Sequence, residues 1–172
     1  MNIYSKKEEL EFFEKGGFDK EEIIIRNYRT SDYQDTLEIL KQLHEIYDIG
    51  LKEKHWRISS GLRQFKPNLK RETLITEIKS TGEVICMGVI EALRNNLGQH
   101  IGYLKNWATK KKYLGKHIGK ILADRAIEIL RSWGCELIRI NLGYGVPEKM
   151  LNVFGSAGFK PVMIVLEKRF EK

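Results

Sequence analysis

The spacing of apolar positions changes repeatedly along the chain, and each change predicts an element. "EEIIIRNYRT" (21–30) is rich in β-branched residues and reads as a first strand. "TSDYQDTLEILKQLHEIYDIG" (30–50) opens with the N-cap candidates Ser31 and Asp32. It then places Leu37, Leu40, Leu43 and Ile46 near helical spacing. "KEKHWRISSGLRQF" (52–65) continues in a weaker helical pattern that ends near Pro67. Three strands follow: "TLITEIK" (73–79), "VICMGVIEALR" (84–94) and "HIGYLKNWAT" (100–109). The turn signals "STGE" and "NNLG" separate them. The irregular "NWAT" predicts a bulge. "IGKILADRAIEILRSWG" (118–134) then sets Ile118, Ile121, Leu122, Ala126, Ile129 and Leu130 on one helical face, with Gly134 as its stop. "CELIRINL" (135–142) is a strand, "PEKMLNVFGSAG" (147–158) a short helix and "FKPVMIVLEKRF" (159–170) a last strand. A further short helix, "KKEELEFFEKGG" (6–17), precedes the main pattern.

This order predicts an α/β (α+β) fold. Its mixed sheet is mostly antiparallel, starts as a meander and closes with one parallel βαβ crossover. At 172 residues one domain with a substantial core is expected. We expect residues 1–21 to form an N-terminal helical extension and residues 22–172 a single domain.

Composition narrows the partners. A formal charge of +7 favours an anionic partner. The lysines are dispersed and no nucleic-acid-binding motif is present, which argues against nucleic acid. Cys86 and Cys135 lack metal-site spacing and read as buried reduced thiols, so no metal is expected. No apolar run approaches membrane-spanning length, and the start lacks a signal-peptide core. A cytoplasmic location follows as the expectation. A homodimer is compatible with the chain.

The most informative stretch is "KKKYLGKHIGK" (110–120), which holds five lysines and opens a helix. A helix N-terminus presents unpaired amides and partial positive charge, and glycine lets backbone approach an anion. A Walker loop is excluded by Lys110 and His117. A dinucleotide fingerprint is excluded because only Gly115 and Gly119 occur. A phosphate cradle and a solvated basic turn both satisfy the local pattern.

Over residues 22–168 the chain resembles the GNAT superfamily of acyl-CoA-dependent N-acyltransferases. The resemblance rests on "IIIRNYRTSDYQDTLEIL", on "ATKKKYLGKHIGKILADRAIEIL" as a pyrophosphate loop with its helix, and on "VFGSAGFKPV" as a closing segment. Three positions depart from the family pattern. Leu114 replaces an Arg/Gln, His117 a glycine and Phe154 a tyrosine. Asn141 falls where an acidic residue sometimes stands.

The resemblance implies acetyl-CoA, or coenzyme A, in a V-shaped cleft between the strands at 100–109 and 135–142. Amides of Trp107, Ala108 and Thr109 would hold the pantetheine arm. Those of Leu114, Gly115, Lys116, His117, Ile118, Gly119 and Lys120 would hold the pyrophosphate, with Lys111, Lys112 and Lys116 adding charge. Phe154 would pack beside the sulfur. It implies acetyl transfer to a primary amine of a small-molecule or peptide acceptor, with a degenerate acyl-CoA-binding module as the alternative. An ordinary lysine amine, pKa about 10.4, is under about 1% neutral at pH 7, so a base is useful. Tyr144 and Glu91 are the catalytic candidates, with His100 behind them. His44 and His55 lie where the acceptor pocket is expected, and Glu45, Asp48 and Glu53 would suit a cationic amine.

Overall fold

The computed structural model describes residues 22–47, 49–142, 148–163 and 168. The chain divides into two compact units, one ending at Asn141 and one carrying Leu142 onward. In the first lie β1 (Ile23–Asn27), α1 (Tyr33–Tyr47), α2 (Glu53–Ser59), β2 (Gln64–Lys66), β3 (Leu69–Ile78), β4 (Val84–Arg94), β5 (His100–Thr109), α3 (Ile118–Ser132) and β6 (Leu137–Ile140). The second contains α4 (Glu148–Ser156). The expected N-terminal helix and Tyr144 lie outside the described residues. So does most of the expected last strand, whose described start, residues 159–163, forms no strand.

The sheet runs β1-β3-β4-β5-β6, with β2 also paired to β3. Every pair is antiparallel except β5–β6. The expected meander and parallel crossover are therefore present.

Helices cover both faces of this sheet. On one face α3 sets Ile118, Leu122, Ala126 and Leu130, one helical turn apart, against Leu74, Ile90, Ala92 and Leu104. On the other, Leu37 and Leu40 of α1 and Trp56 of α2 pack on Ile75, Met87, Val89 and Ala108. Being covered twice makes β4 a near-continuous apolar run. Each fully buried Leu or Ile contributes about 1.5–3 kcal/mol. Gly134, at φ +86°, ends α3, where Cys135 N donates back to Leu130 O at 3.1 Å. A bidentate Arg26–Asp32 pair, at 2.7 and 2.8 Å, fastens β1 to the turn that starts α1. Burial would raise the Asp32 carboxyl, but the Arg26 and Arg29 hydrogen bonds outweigh it and hold it below the usual range.

One element departs from expectation. The helix expected over 52–65 ends at Ser59, and Gln64–Lys66 form a strand that turns at Pro67-Asn68 into β3. Strand β3 therefore begins at Leu69 rather than Thr73. Proline brings no amide and a fixed φ, so the segment leading to it closes as a hairpin. Phe65 adds an edge-on contact with Trp133, ring centres 5.9 Å apart.

Candidate active site at the β5 bulge and the α3 N-terminus

Pairing between β5 and β6 runs from Ile101–Leu137 to Leu104–Ile140 and stops. Beyond Leu104, β5 continues to Thr109 with no β6 partner among the described residues. Here the register against β4 also shifts, from Val89–Lys105 to Met87–Ala108. Asn106 and Trp107 thus stand opposite Gly88 alone: the bulge expected from "NWAT". Asn106 takes φ +50°, a conformation uncommon outside glycine. Two residues facing one cannot both satisfy their backbone groups in the ladder.

Gly88 makes the bulge possible. A Cβ there would lie 2.2 Å from Trp107 Cε3, so the indole needs the bare backbone. From this position Trp107 Nε1 donates to Gly119 O at 3.0 Å and ties the bulge to the first turn of α3. Next to it, Thr109 Oγ1 donates to Cys86 Sγ at 3.2 Å, and Ala108 is buried. Burial pushes the Cys86 thiol up to about 12, so it is inert at neutral pH.

The loop from β5 to α3 is shaped by left-handed residues: Gly115 at φ +79° and His117 at φ +55°. Leu114 and Lys120, expected to offer amides to a pyrophosphate, use them internally. Leu114 N bonds Lys111 O at 3.2 Å and Lys120 N bonds His117 O at 3.0 Å, because a short 3-10 turn and the opening helical turn claim them. The amides of Gly115, Ile118 and Gly119 make no backbone hydrogen bond with a described residue. Gly119 needs no special φ; a Cβ there would meet Thr109 Oγ1 at 3.6 Å and Trp107 Nε1 at 3.7 Å. It permits close approach of helix and strand.

The loop lysines divide. Lys110, buried, reaches Asp35 at 2.7 Å and Glu83 at 3.4 Å. Lys112, expected to add charge for an anion, pairs with Glu83 at 2.8 Å, and the Tyr113 hydroxyl donates to the same carboxylate at 2.7 Å. Lys112 and Tyr113 hold the Glu83 carboxyl down at about 2. Burial lowers Lys120, which reaches Asp124 at 3.3 Å. Lys116 lies over the Tyr113 ring, 5.7 Å from its centre. Glu83 lies on the β3–β4 turn, remote in sequence, and neither composition nor motif pointed to it.

On the other side of the bulge is a cavity of about 200 Å³. Leu40, Lys52, His55, Trp56, Ser59 and Asn106 contribute to its wall. Trp56 is fixed by Nε1 donating to Thr36 Oγ1 at 3.2 Å. His55 and Trp56 both line this cavity. Glu53 does not face a ligand: it pairs with Lys41 at 2.7 Å. Glu45 is exposed, and Asp48 is outside the described residues. Glu91 on β4 is held between Arg71 and Lys105, cross-strand neighbours on β3 and β5. The same Arg71 donates through Nη2 to Ser59 O at 3.2 Å. His100 is buried with Nδ1 3.1 Å from Gly134 O, at the opposite end of β5 from the bulge. Phe154, in the second unit, packs edge-on against Phe159 at 5.9 Å. Asn141 is exposed just after β6.

Among the described residues no helix is long and apolar enough to cross a membrane, and no three His, Cys, Asp or Glu residues cluster as metal ligands.

Sequence comparison identifies the class. The Acetyltransferase (GNAT) family profile matches residues 37–159, most of the chain, so the chain belongs to this family and is an acetyltransferase. No curated protein matches it by sequence. Solved structures share its fold. An acetyltransferase from Trypanosoma brucei is 20% identical, TM-score 0.64, over 86% of this chain and 99% of that one. Glucosamine-6-phosphate N-acetyltransferase from Arabidopsis thaliana is 16% identical, TM-score 0.61, over 87% and 99%. An aminoglycoside acetyltransferase from an uncultured soil metagenomic sample is 12% identical, TM-score 0.64, over 89% and 98%.

Proposed function

We propose that the protein transfers the acetyl group of acetyl-CoA to a primary amine of a small-molecule or peptide acceptor. One observation carries this reading: the two bulge residues adjoin two different features. Trp107 touches the start of α3, and Asn106 lines the cavity. A donor bound along the α3 start and an acceptor in the cavity would meet at the bulge.

The residues present fit such a donor. The amides of Gly115, Ile118 and Gly119, which make no backbone hydrogen bond with a described residue, sit at a helix N-terminus, where an anion is favoured. Lys111 and Lys116 add charge, and β5 beyond Leu104, which has no β6 partner among the described residues, would offer its edge to an amide-bearing arm.

The bound donor supplies an activated thioester carbonyl. The acceptor nitrogen forms the new C–N bond as the C–S bond breaks, and the amine proton must leave. A bulge amide of β5 would stabilise charge on the carbonyl oxygen. Glu91, held by Arg71 and Lys105 behind the cavity wall, is assigned to take the amine proton through an intervening water. Tyr144 is assigned to protonate the departing thiolate. Holding both reactants at one bulge can supply roughly 7–11 kcal/mol, more than one proton-transfer group typically does.

The relatives named above include enzymes for an amino sugar phosphate and for aminoglycosides, which supports a small-molecule amine here. The test is release of CoA from acetyl-CoA across a panel of amines. Amine-dependent release establishes the reading. CoA binding without release for any amine would assign the degenerate binding module instead.

A further inference from the structure

We infer that the acceptor carries an anionic group, a carboxylate or phosphate, beside its amine. This rests on the acetyl-transfer reading above and specifies the acceptor for the same cavity. The wall of that cavity holds Lys52 and His55 and, among the described residues, no carboxylate. The acid adjacent to Lys52 in sequence, Glu53, is turned to Lys41 at 2.7 Å.

Behind the wall the balance has the same sign. Ser59 lines the cavity, and its carbonyl holds Arg71; Asn106 lines it, and its neighbour is Lys105. Glu91 is the carboxylate shared by Arg71 and Lys105, so two guanidinium or ammonium charges face one negative charge. The apolar walls, Leu40 and Trp56, weaken solvent screening of these charges. A polycationic amine would enter against this potential, whereas an anionic group would be drawn to Lys52. The potential has a second consequence. It disfavours the ammonium form of an acceptor already seated, and only the neutral amine attacks.

The experiment is calorimetric titration of the full chain, first with CoA and then, when saturated, with matched primary amines. The pairs are O-phosphoethanolamine against ethanolamine and β-alanine against β-alaninamide, with spermidine as the polycation. At least one anionic member should bind about tenfold more tightly than its neutral partner, as one charged hydrogen bond requires. The pair that shows the preference identifies phosphate or carboxylate. Lys52→Glu should abolish the preference and Lys52→Ala reduce it. Lys54→Glu, the same charge change off the cavity wall, should preserve it. Equal binding within both pairs, tighter binding of spermidine, or no amine binding to CoA-saturated protein would overturn the inference and leave the acetyl-CoA reading intact. Failure of CoA itself to bind would remove both.

Discussion

Trp107 donates its indole proton to the carbonyl of Gly119 at 3.0 Å, and by this bond the bulged strand β5 sets the position of the α3 N-terminus. The indole lies where any side chain on residue 88 would stand. Gly88→Ala should therefore displace the ring or strain the strand, costing about 1–3 kcal/mol. Trp107→Phe keeps an aromatic ring but loses the bond and the five-membered half of the indole, costing about 1 kcal/mol for the bond with lost packing added to it. Thermal unfolding of the two variants checks both. CoA affinity should fall in each if the bond orients the cradle.

The Glu83 cluster predicts a pH dependence. Glu83 has its carboxyl lowered to about 2 from 4.5, first by Lys112 and then by Tyr113. A lowered pKa means the contribution is complete above about 4.5 and is lost as pH falls toward 2. The gap in melting temperature between wild type and Glu83→Gln should be widest near pH 6 and shrink steadily below pH 4.5. A gap independent of pH across that range would mean that the Lys112 and Tyr113 contacts contribute nothing.

His117 occupies a left-handed conformation without being glycine. Such a position costs an ordinary residue roughly 1–2 kcal/mol. His117→Gly should be neutral or stabilising and leave CoA binding intact or improved, since relief of strain offsets the added chain entropy. His117→Val should be clearly destabilising, because β-branching makes φ > 0 worse. Melting temperatures of the pair give the sign.

Sequence alone exposed the sheet well because its strands are long and its turns explicit. Both β4 and β5 were legible to the residue, and the bulge was visible in the irregular "NWAT" near the end of β5. The three residues of β2, Gln64–Lys66, carried too little apolar signal to displace a helical reading. Within the candidate site, the glycines and helix start were legible as a local pattern. The partners of the lysines were not. Lys110 reads as part of a solvated basic turn but is buried and paired with Asp35 of α1 and Glu83 of the β3–β4 turn, which only the fold brings to it. The helical region around His55 was expected to shape a pocket, but its meeting with Leu40 of α1, residues 49–52 and Asn106 of β5, far apart in the chain, was hidden.

The proton-transfer assignments separate kinetically. If Glu91 accepts the amine proton, Glu91→Gln should lower kcat by about 10²–10⁴ with little change in CoA affinity. If Tyr144 protonates the thiolate, Tyr144→Phe should lower kcat and Phe154→Tyr should partly restore it. Turnover of each variant within a few-fold of wild type, with an identified acceptor at saturating acetyl-CoA, would remove that residue from the mechanism.

The central claim is that the α3 N-terminus holds the acyl donor, and Gly119 tests it most directly. A Cβ at this position meets only ordinary contacts, and an acidic residue in the first turn suits the helix dipole, so the fold should survive Gly119→Glu. The new carboxylate would stand where a pyrophosphate is expected. Calorimetric titration with acetyl-CoA should show saturable binding to wild type, near-wild-type binding to Gly119→Ala and none to a folded Gly119→Glu. Binding to Gly119→Glu as tight as to wild type would contradict the account.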